Sequence, residues 1–463
     1  MTSPRDSNKK SQSPTVTKPS ETPPNKKDVS LVSLKRLALK GSAWVMLGVA
    51  GGQTLRFVGN LILTRLLSPE AFGIMGIVNA LLMGLRMFSD VGLRPSIIQN
   101  KRGEEPAFLR TAWTIQIIRG IALTLLAAAF AWPMALLNNE PSLLLLIPVA
   151  GFTAFIAGFH SIWLLVYSRR MILNKLVILN LTTSLFTMLA MILCAWYFRS
   201  VWALVFGAFV GSTIKLIASH TILSGLPMRF QWEPEAVSAL IRFGRWIFIS
   251  TALGFFIQRL DVFILGSYVG MSMLGLYVLA KNLSQLAMQA LMSLSSNILL
   301  PVYSRLHERG TKTLRRKMFK IRIILLALSL PPLWVLVLWG DYLIELLYDD
   351  RYIEAGWILQ ILATGAIATA IRTTIGPVFL AVGDSFRHMI GTIFRLGLLI
   401  LGMSVGASLW GIPGIFIGLA LTDWLHYPVL VYLLRPYGVW LPLLDFVAFS
   451  TSIIVIGIAW MLN

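Results

Sequence analysis

Charge is scarce in this sequence, and acidic charge is scarcer. Of 463 residues only 13% are charged, with 20 Asp and Glu against 40 Lys and Arg. Water-soluble domains carry about a quarter charged residues, so a soluble multidomain enzyme is excluded. Cysteine occurs once, at Cys194 in an apolar run. That excludes an internal disulfide and leaves Cys194 as a small packing residue. Among the five histidines, His160 and His426 are isolated within apolar runs, and neither has metal-ligand spacing. Walker and Gly-x-Ser-x-Gly motifs are absent. Catalysis has little support, and no cofactor is implied.

What the sequence has is apolar surface. Hydrophobic residues make up 56% of the chain, with a mean hydropathy of +0.75. The apolar runs are unbroken over about 20 residues rather than alternating, which points to helices and away from a transmembrane β-barrel. Thirteen spans are expected, at 42–64, 71–93, 112–137, 143–167, 175–198, 201–223, 244–268, 272–300, 321–340, 354–382, 387–409, 412–434 and 440–462. Each covers a hydrocarbon core of about 30 Å at 1.5 Å per residue. The thirteenth makes the total odd, and either crosses the membrane or lies at its interface.

Residues 1–40 differ in kind. They are rich in Ser, Thr, Pro and Lys, contain no signal-peptide pattern, and read as a disordered basic cytoplasmic tail that touches anionic lipid. With the N-terminus inside, the remaining basic residues sort to one side. The inside loops hold Arg94, Lys101, Arg102, Arg110, Arg169, Arg170, Lys175, Arg229, Arg242 and Arg245, and eight bases from Arg305 to Arg322. The outside loops hold Arg65, Arg199 and Arg351, and the loop 341–354 is acidic. This is the positive-inside pattern, and it accounts for the net charge of +20 without nucleic acid.

A repeat links the two halves. Trp44, Arg56 and Phe72-Gly73 recur as Trp246, Arg259 and Leu274-Gly275, with the same Trp-to-Gly distance. The expected architecture is therefore an all-α polytopic membrane protein of two pseudo-symmetric six-helix bundles around a central cavity, with one extra C-terminal helix. The bundles are 41–223 and 244–435, joined by a cytoplasmic linker at 224–243, and residues 436–463 form the extra helix.

Ionisable groups at bilayer depth cost a few kcal/mol each and usually face a cavity or a partner. Arg86 and Asp90 share a helix face and can pair; Arg119 and Asp445 lie near span ends and can snorkel. The remaining bases, Arg56, Arg259, Lys281 and Arg372, with Lys215 and Arg395, exceed the available acids, chiefly Asp261 and Asp423. Unpaired bases in a cavity favour an anionic ligand, and Arg suits a diphosphate. Asp261 or Asp423 can also take up a proton or cation and bias a transport cycle. Small-residue pairs Gly207/Gly211 and Gly414/Gly418 read as helix packing.

Several motifs resemble the polysaccharide-transporter, or Wzx-type oligosaccharide flippase, branch of the multidrug/oligosaccharidyl-lipid/polysaccharide (MOP) exporter superfamily. They are Leu-Thr-Arg-Leu-Leu-Ser-Pro-Glu-Ala-Phe-Gly at 63–73, Ser-Asp-Val-Gly-Leu at 89–93, Asp261 with Leu265-Gly266, Leu-Gly-Leu-Tyr at 274–277, and Pro301 before Tyr-Ser-Arg. The resemblance implies a non-enzymatic flippase of a bacterial cytoplasmic membrane, N-terminus inside. It implies a polyprenyl-diphosphate-linked oligosaccharide as cargo and alternating access as mechanism. The pathway's polymerase and glycosyltransferases would be its protein partners, and Arg56, Arg259, Lys281 and Arg372 would hold the diphosphate. Two rivals stand beside it: a multidrug exporter of the same superfamily, which calls for cavity acids, and a membrane polymerase or glycosyltransferase, which calls for a larger exposed loop.

Overall fold

A computed structural model describes residues 31–89, 92–100, 102–223, 225, 227–295 and 299–462, with the side chains of 31–43, 45, 99, 239, 241–253, 290, 293, 294 and 301 left aside. Residues 1–30 of the basic tail, Asp90 and Lys101 lie outside this set. The described chain is helical. The order is α1 (Leu31–Leu66), α2 (Pro69–Phe88), α3 (Leu93–Gln99), α4 (Pro106–Leu137), α5 (Leu143–Gly158), α6 (Trp163–Arg169), α7 (Leu173–Phe198), α8 (Trp202–Thr221), α9 (Pro234–Tyr268), α10 (Met271–Leu294), α11 (Leu300–His307), α12 (Thr311–Leu347), α13 (Ala355–Ile375), α14 (Pro377–Ala381), α15 (Ser385–Leu434) and α16 (Pro442–Leu462). Helix α1 reaches back to Leu31, so residues 31–40, read from composition as tail, are helical; α9 likewise begins at Pro234, within the segment read as a linker.

Eight helices among the described residues are long and apolar enough to cross a membrane, or nine with the bent pair α5–α6 as one span. Helices α1, α9 and α10 are long enough too, at 36, 35 and 24 residues. They are diluted by polar residues: Gln53, Arg56 and Asn60; Gln258, Arg259 and Asp261; Lys281, Asn282 and Gln285. The chain is thus a multi-pass membrane protein, and among the described residues every expected span overlaps a helix.

Two expected spans are interrupted, and two others are separated where expected, each for a physical reason. Helices α5 and α6 meet at 63° across Phe159–Ile162. The carbonyls freed by that bend are taken by side chains, as a low-dielectric setting requires. Gln116 Nε2 donates to the Gly158 and His160 carbonyls at 2.9 Å, and His220 Nε2 lies 2.9 Å from the Phe159 carbonyl. The 50-residue α15 is two helices, reversing at Gly411 with φ +62° and ψ −136°, a conformation only glycine adopts cheaply. A Cβ on Gly402 or Gly406 would meet the carbonyl oxygens of Gly418 and Gly414, so the two arms pack backbone to backbone. The span expected at 354–382 breaks at Gly376, before Pro377.

The halves meet through α2. Pro69 at the first helical position and Glu70 in the first turn suit a helix N-terminus. Most of α2 is buried, in a core that also draws on α5, α8, α9, α10 and α13. Its crossing with α10 is reciprocal. A Cβ on Gly73 would overlap the Met271 carbonyl oxygen, and one on Gly275 would overlap the Pro69 carbonyl oxygen. The same sequence offset separates Pro69 from Met271 and Gly73 from Gly275, so the repeat read from sequence meets itself on a pseudo-twofold axis.

A latch lies beside this crossing. A 3-10 turn, Asp350–Tyr352, follows α12. The buried Tyr352 hydroxyl donates to the Leu67 carbonyl at 2.9 Å. The Arg351 guanidinium donates to the Thr64 and Arg65 carbonyls at 3.3 and 3.1 Å, and its Nε to Asp349 at 2.8 Å. That guanidinium holds the Asp349 carboxyl below its ordinary range and is itself raised by it. Phe72 packs edge-on against Tyr352. We call this the Tyr352 end. At the opposite end, the Arg102 end, Glu105, Glu233 and Glu235 surround Arg102.

Overpacking a close crossing costs about 1–3 kcal/mol. Gly73→Ala should therefore lower the unfolding temperature of the purified protein measurably, whereas Gly397→Ala, where a Cβ would meet open space, should not. Equal temperatures for both variants would contradict the crossing.

Candidate functional site

Helices α9, α10, α13 and α15 enclose a hollow of about 270 Å³. Its lining includes Arg259, Asp261, Lys281, Arg372, Arg395 and Asp423. Six of the eight residues singled out from sequence thus converge from four separate helices. The other two do not line it. Arg56 is exposed on α1, its Nε donating to Gln53 at 3.0 Å, and Lys215 sits on α8.

The expectation of unpaired bases needs correction. Lys281 pairs with Asp261, which also accepts from the Tyr277 hydroxyl. Arg395 Nε lies 2.7 Å from Asp423 Oδ1, and Arg372 Nε lies 3.4 Å from the same oxygen. The Thr369 hydroxyl donates to Asp423 Oδ2 at 2.6 Å. The acids are buried, with Asp261 3% and Asp423 8% exposed. Carboxylates so placed are held only by charged partners and hydrogen bonds, and the partners are the cavity bases themselves.

The pairing is incomplete. Four bases face two acids, which leaves a formal excess of two positive charges in the hollow. Among the described residues no carboxylate lies within ion-pair distance of Arg259; its Nε approaches the Met83 sulfur of α2 at 3.1 Å. Arg259 and Asp261, two apart on α9, find different partners, as helical spacing demands. Arg372 Nε and Asp261 Oδ1 are buried and make no hydrogen bond among the described residues. Such atoms are rare unless a water or ligand uses them.

Sequence reasoning missed the neutral lining. Gln258, Tyr277, Ser284, Gln285 and Thr369 also face the hollow. Spacing carried a signal for two of them. Tyr277 lies four residues before Lys281, and Thr369 three before Arg372, so each shares a helix face with a cavity base.

Two further ionisable groups sit otherwise than expected. Asp445 does not snorkel. It is 2% exposed and pairs with Arg322, fully buried on α12, although Arg322 falls in the segment read as a loop. Arg322 Nε also donates to Thr374 at 2.9 Å, so this pair joins α12, α13 and α16. Arg119 donates to Ser89 Oγ at 2.9 Å and to the Arg86 carbonyl at 2.6 Å, tying α4 to the end of α2 rather than reaching for an interface. The Arg86–Asp90 pairing involves a residue outside the described set.

Comparison with known proteins now bears on this geometry. Residues 62–356 match the family described as "Polysaccharide biosynthesis protein". The chain belongs to that family. Among its relatives is the lipopolysaccharide biosynthesis protein WzxC of Escherichia coli (strain K12), 21% identical, covering 89% of this chain and 86% of that protein. Another is the succinoglycan biosynthesis transport protein ExoT of Rhizobium meliloti (strain 1021), 23% identical over 74% and 68%. The backbone is similar to a multidrug resistance MATE family transporter of the MOP superfamily, in an inward-facing conformation. That match has a TM-score of 0.69 and 14% identity, over 83% of this chain and 94% of that one. It is also similar to the lipid II flippase MurJ in an inward closed conformation, with a TM-score of 0.68 and 15% identity, over 92% and 93%. At these identities the structural likeness shows the fold: an all-helical transporter architecture of two pseudo-symmetric bundles.

Asp423 is shared by two arginines, and breaking a buried pair from one side costs about 3–5 kcal/mol. Asp423→Asn should therefore lower the unfolding temperature clearly, and more than Asp384→Asn, whose carboxyl caps the exposed start of α15. A wild-type temperature for Asp423→Asn would mean that Arg372 and Arg395 do not depend on it.

Proposed function

We propose that this polysaccharide-biosynthesis transporter moves polyprenyl-diphosphate-linked oligosaccharide units across a bacterial cytoplasmic membrane by alternating access. The observation that carries the reading is the positive excess of the hollow. Among the described residues Arg259 has no acid within ion-pair distance, and Arg372 Nε, 3.4 Å from Asp423, is paired by charge but not hydrogen-bonded. A diphosphate offers the acceptors both lack, and in a low dielectric such charge-assisted hydrogen bonds are strong. A cationic compound would meet net repulsion there, which disfavours a multidrug exporter.

The hollow's volume sets what enters. Sites for drug-sized ligands run from about 300 Å³, so about 270 Å³ accepts a diphosphate and a sugar beside it rather than a whole oligosaccharide. The lipid tail stays in the bilayer. Arg259, Lys281 and Arg372 hold the head group, while Arg395 and Lys215 act secondarily. Arg56, on the facing repeat, meets the head group as the halves move. Asp261 and Asp423 release or regain their bases as the anion arrives and leaves, so that the anion competes with the carboxylates for the same cations.

In this reading the bundles 41–223 and 244–435 rock about the α2–α10 crossing, joined by 224–243, with 436–463 as an added helix. The N-terminus and the Arg102 end face the cytoplasm, where the positive charge lies. The polymerase and glycosyltransferases of the same pathway supply and consume the cargo. No bond is made or broken, so the protein is not an enzyme.

Loss of the gene should cause polyprenyl-diphosphate oligosaccharide to accumulate, protected from a probe outside the membrane, as read by mass spectrometry of lipid extracts. In Arg56→Ala/Arg259→Ala cells the same lipid should accumulate, and surface polymer should fall at least tenfold at unchanged protein level. Normal polymer in that double variant would remove the assignment. Outward-facing completed units would instead place the protein after translocation.

A further inference from the structure

The Arg102 end carries two groups of basic residues that differ in their company. In the first group Arg102 meets Glu105, Glu233 and Glu235, while Arg169 and Arg170 meet Glu104. Those bases are neutralised by the protein itself. The second group is the start of α12, where Lys312, Arg315, Arg316, Lys317 and Lys320 fall within nine residues. All five are exposed, and among the described residues none has an ion pair or hydrogen-bond partner. No Asp or Glu occurs between Arg309 and Gly340. Five cations are held side by side with no counter-charge among the described residues.

The surface around them is hollowed. One depression of about 450 Å³ is lined by Lys312, Arg315, Arg316, Phe319, Lys320 and Leu441. A second of about 470 Å³ is lined by Lys312, Thr313, Arg316, Lys317 and Lys320. The two share Lys312, Arg316 and Lys320, which at spacings of four form one stripe on a helix face. Toward the apolar part of α12 the stripe gives way to exposed Phe319, Ile323, Ile324 and Leu328. The far wall comes from Leu441, just before α16, and α16 is fixed to α12 by the Arg322–Asp445 pair and by Trp334 Nε1 donating to Ser452 Oγ at 3.0 Å. Basic residues at the start of the helix, with exposed apolar side chains one turn further along it, match an amphiphile that is anionic at its head and apolar below.

We propose that the start of α12, walled by the entrance to α16, is a binding site for an anionic phospholipid of the surrounding bilayer, with Lys312, Arg316 and Lys320 holding its phosphate. Clusters of Lys and Arg beside a membrane helix attract anionic head groups, each base contributing about fivefold in affinity. The extra C-terminal helix thereby has a role apart from the transport hollow: it completes the site's wall.

The test uses the full-length protein purified with its lipid and analysed by native mass spectrometry, with phosphatidylglycerol or phosphatidylcholine supplied in the detergent. The wild type should retain phosphatidylglycerol and release phosphatidylcholine. In Lys312→Gln/Arg316→Gln/Lys320→Gln, phosphatidylglycerol retention should weaken about a hundred-fold. Arg305→Gln/Arg309→Gln, which alters exposed bases outside the depressions, should retain it. If the triple variant does not yield monodisperse protein, Arg316→Gln alone should weaken retention about fivefold. Equal loss in the Arg305/Arg309 variant would reduce the effect to general surface charge and overturn the site. Equal retention of phosphatidylcholine would overturn the phosphate's role. Displacement of phosphatidylglycerol by inorganic diphosphate at equal concentration would show a site for free phosphate groups rather than for lipid, and would overturn it too. None of these readouts depends on transport, so failure here leaves the reading of the hollow untouched.

Discussion

Two buried carboxylates, Asp261 and Asp423, decide how much positive charge the centre of this protein can hold. Like charges packed into a low dielectric repel strongly, and four bases converging from α9, α10, α13 and α15 could not share one hollow unassisted. Each acid bonds to one or two of those bases and to a hydroxyl as well, Tyr277 in one case and Thr369 in the other. The helices that carry these groups are therefore drawn to a common point by charge as well as by apolar packing. Because the acids are too few, the neutralisation stops short. That residue of charge distinguishes the hollow from the Arg322–Asp445 pair, which has one base and one acid and serves only to hold helices together.

Basic residues in this chain thus do three different things according to what faces them. Opposite a single buried acid they are struts. Opposite several glutamates, as at Arg102, they stitch the base of α9 to the helices of the first half. Opposite no acid among the described residues, as at the start of α12, they present charge to whatever lies outside the protein. Composition records all three as one net charge, and only the partners separate them.

That is also why the sequence was legible in part. Apolar runs located the long helices, and the repeat around Gly73 and Gly275 anticipated the pair of glycines at which two of them cross, because both signals depend on neighbours close in sequence or on exact recurrence. The gathering of Arg259, Lys281, Arg372 and Arg395 was visible as a surplus of bases in apolar surroundings. Their pairing was not, since it depends on which helices touch: Lys281 reaches Asp261 across α9 and α10, and two arginines from α13 and α15 share Asp423. Asp445 misled for the same reason. Its position near a span end suggested water, but its buried partner lies 123 residues away. The bend after α5 was invisible because the carbonyls it frees are satisfied by Gln116 and His220, remote in the chain and unremarkable in composition.

The crossing of α2 and α10 is seated on two glycines, Gly73 and Gly275. A joint between side chains would have many nearly equivalent registers; this one has a single seat, defined by two carbonyl oxygens resting on two α-carbons. Since the two seats are copies of one another, a bulky residue in either repeat unseats the same joint. The interface therefore has two places at which it can be lost and no spare.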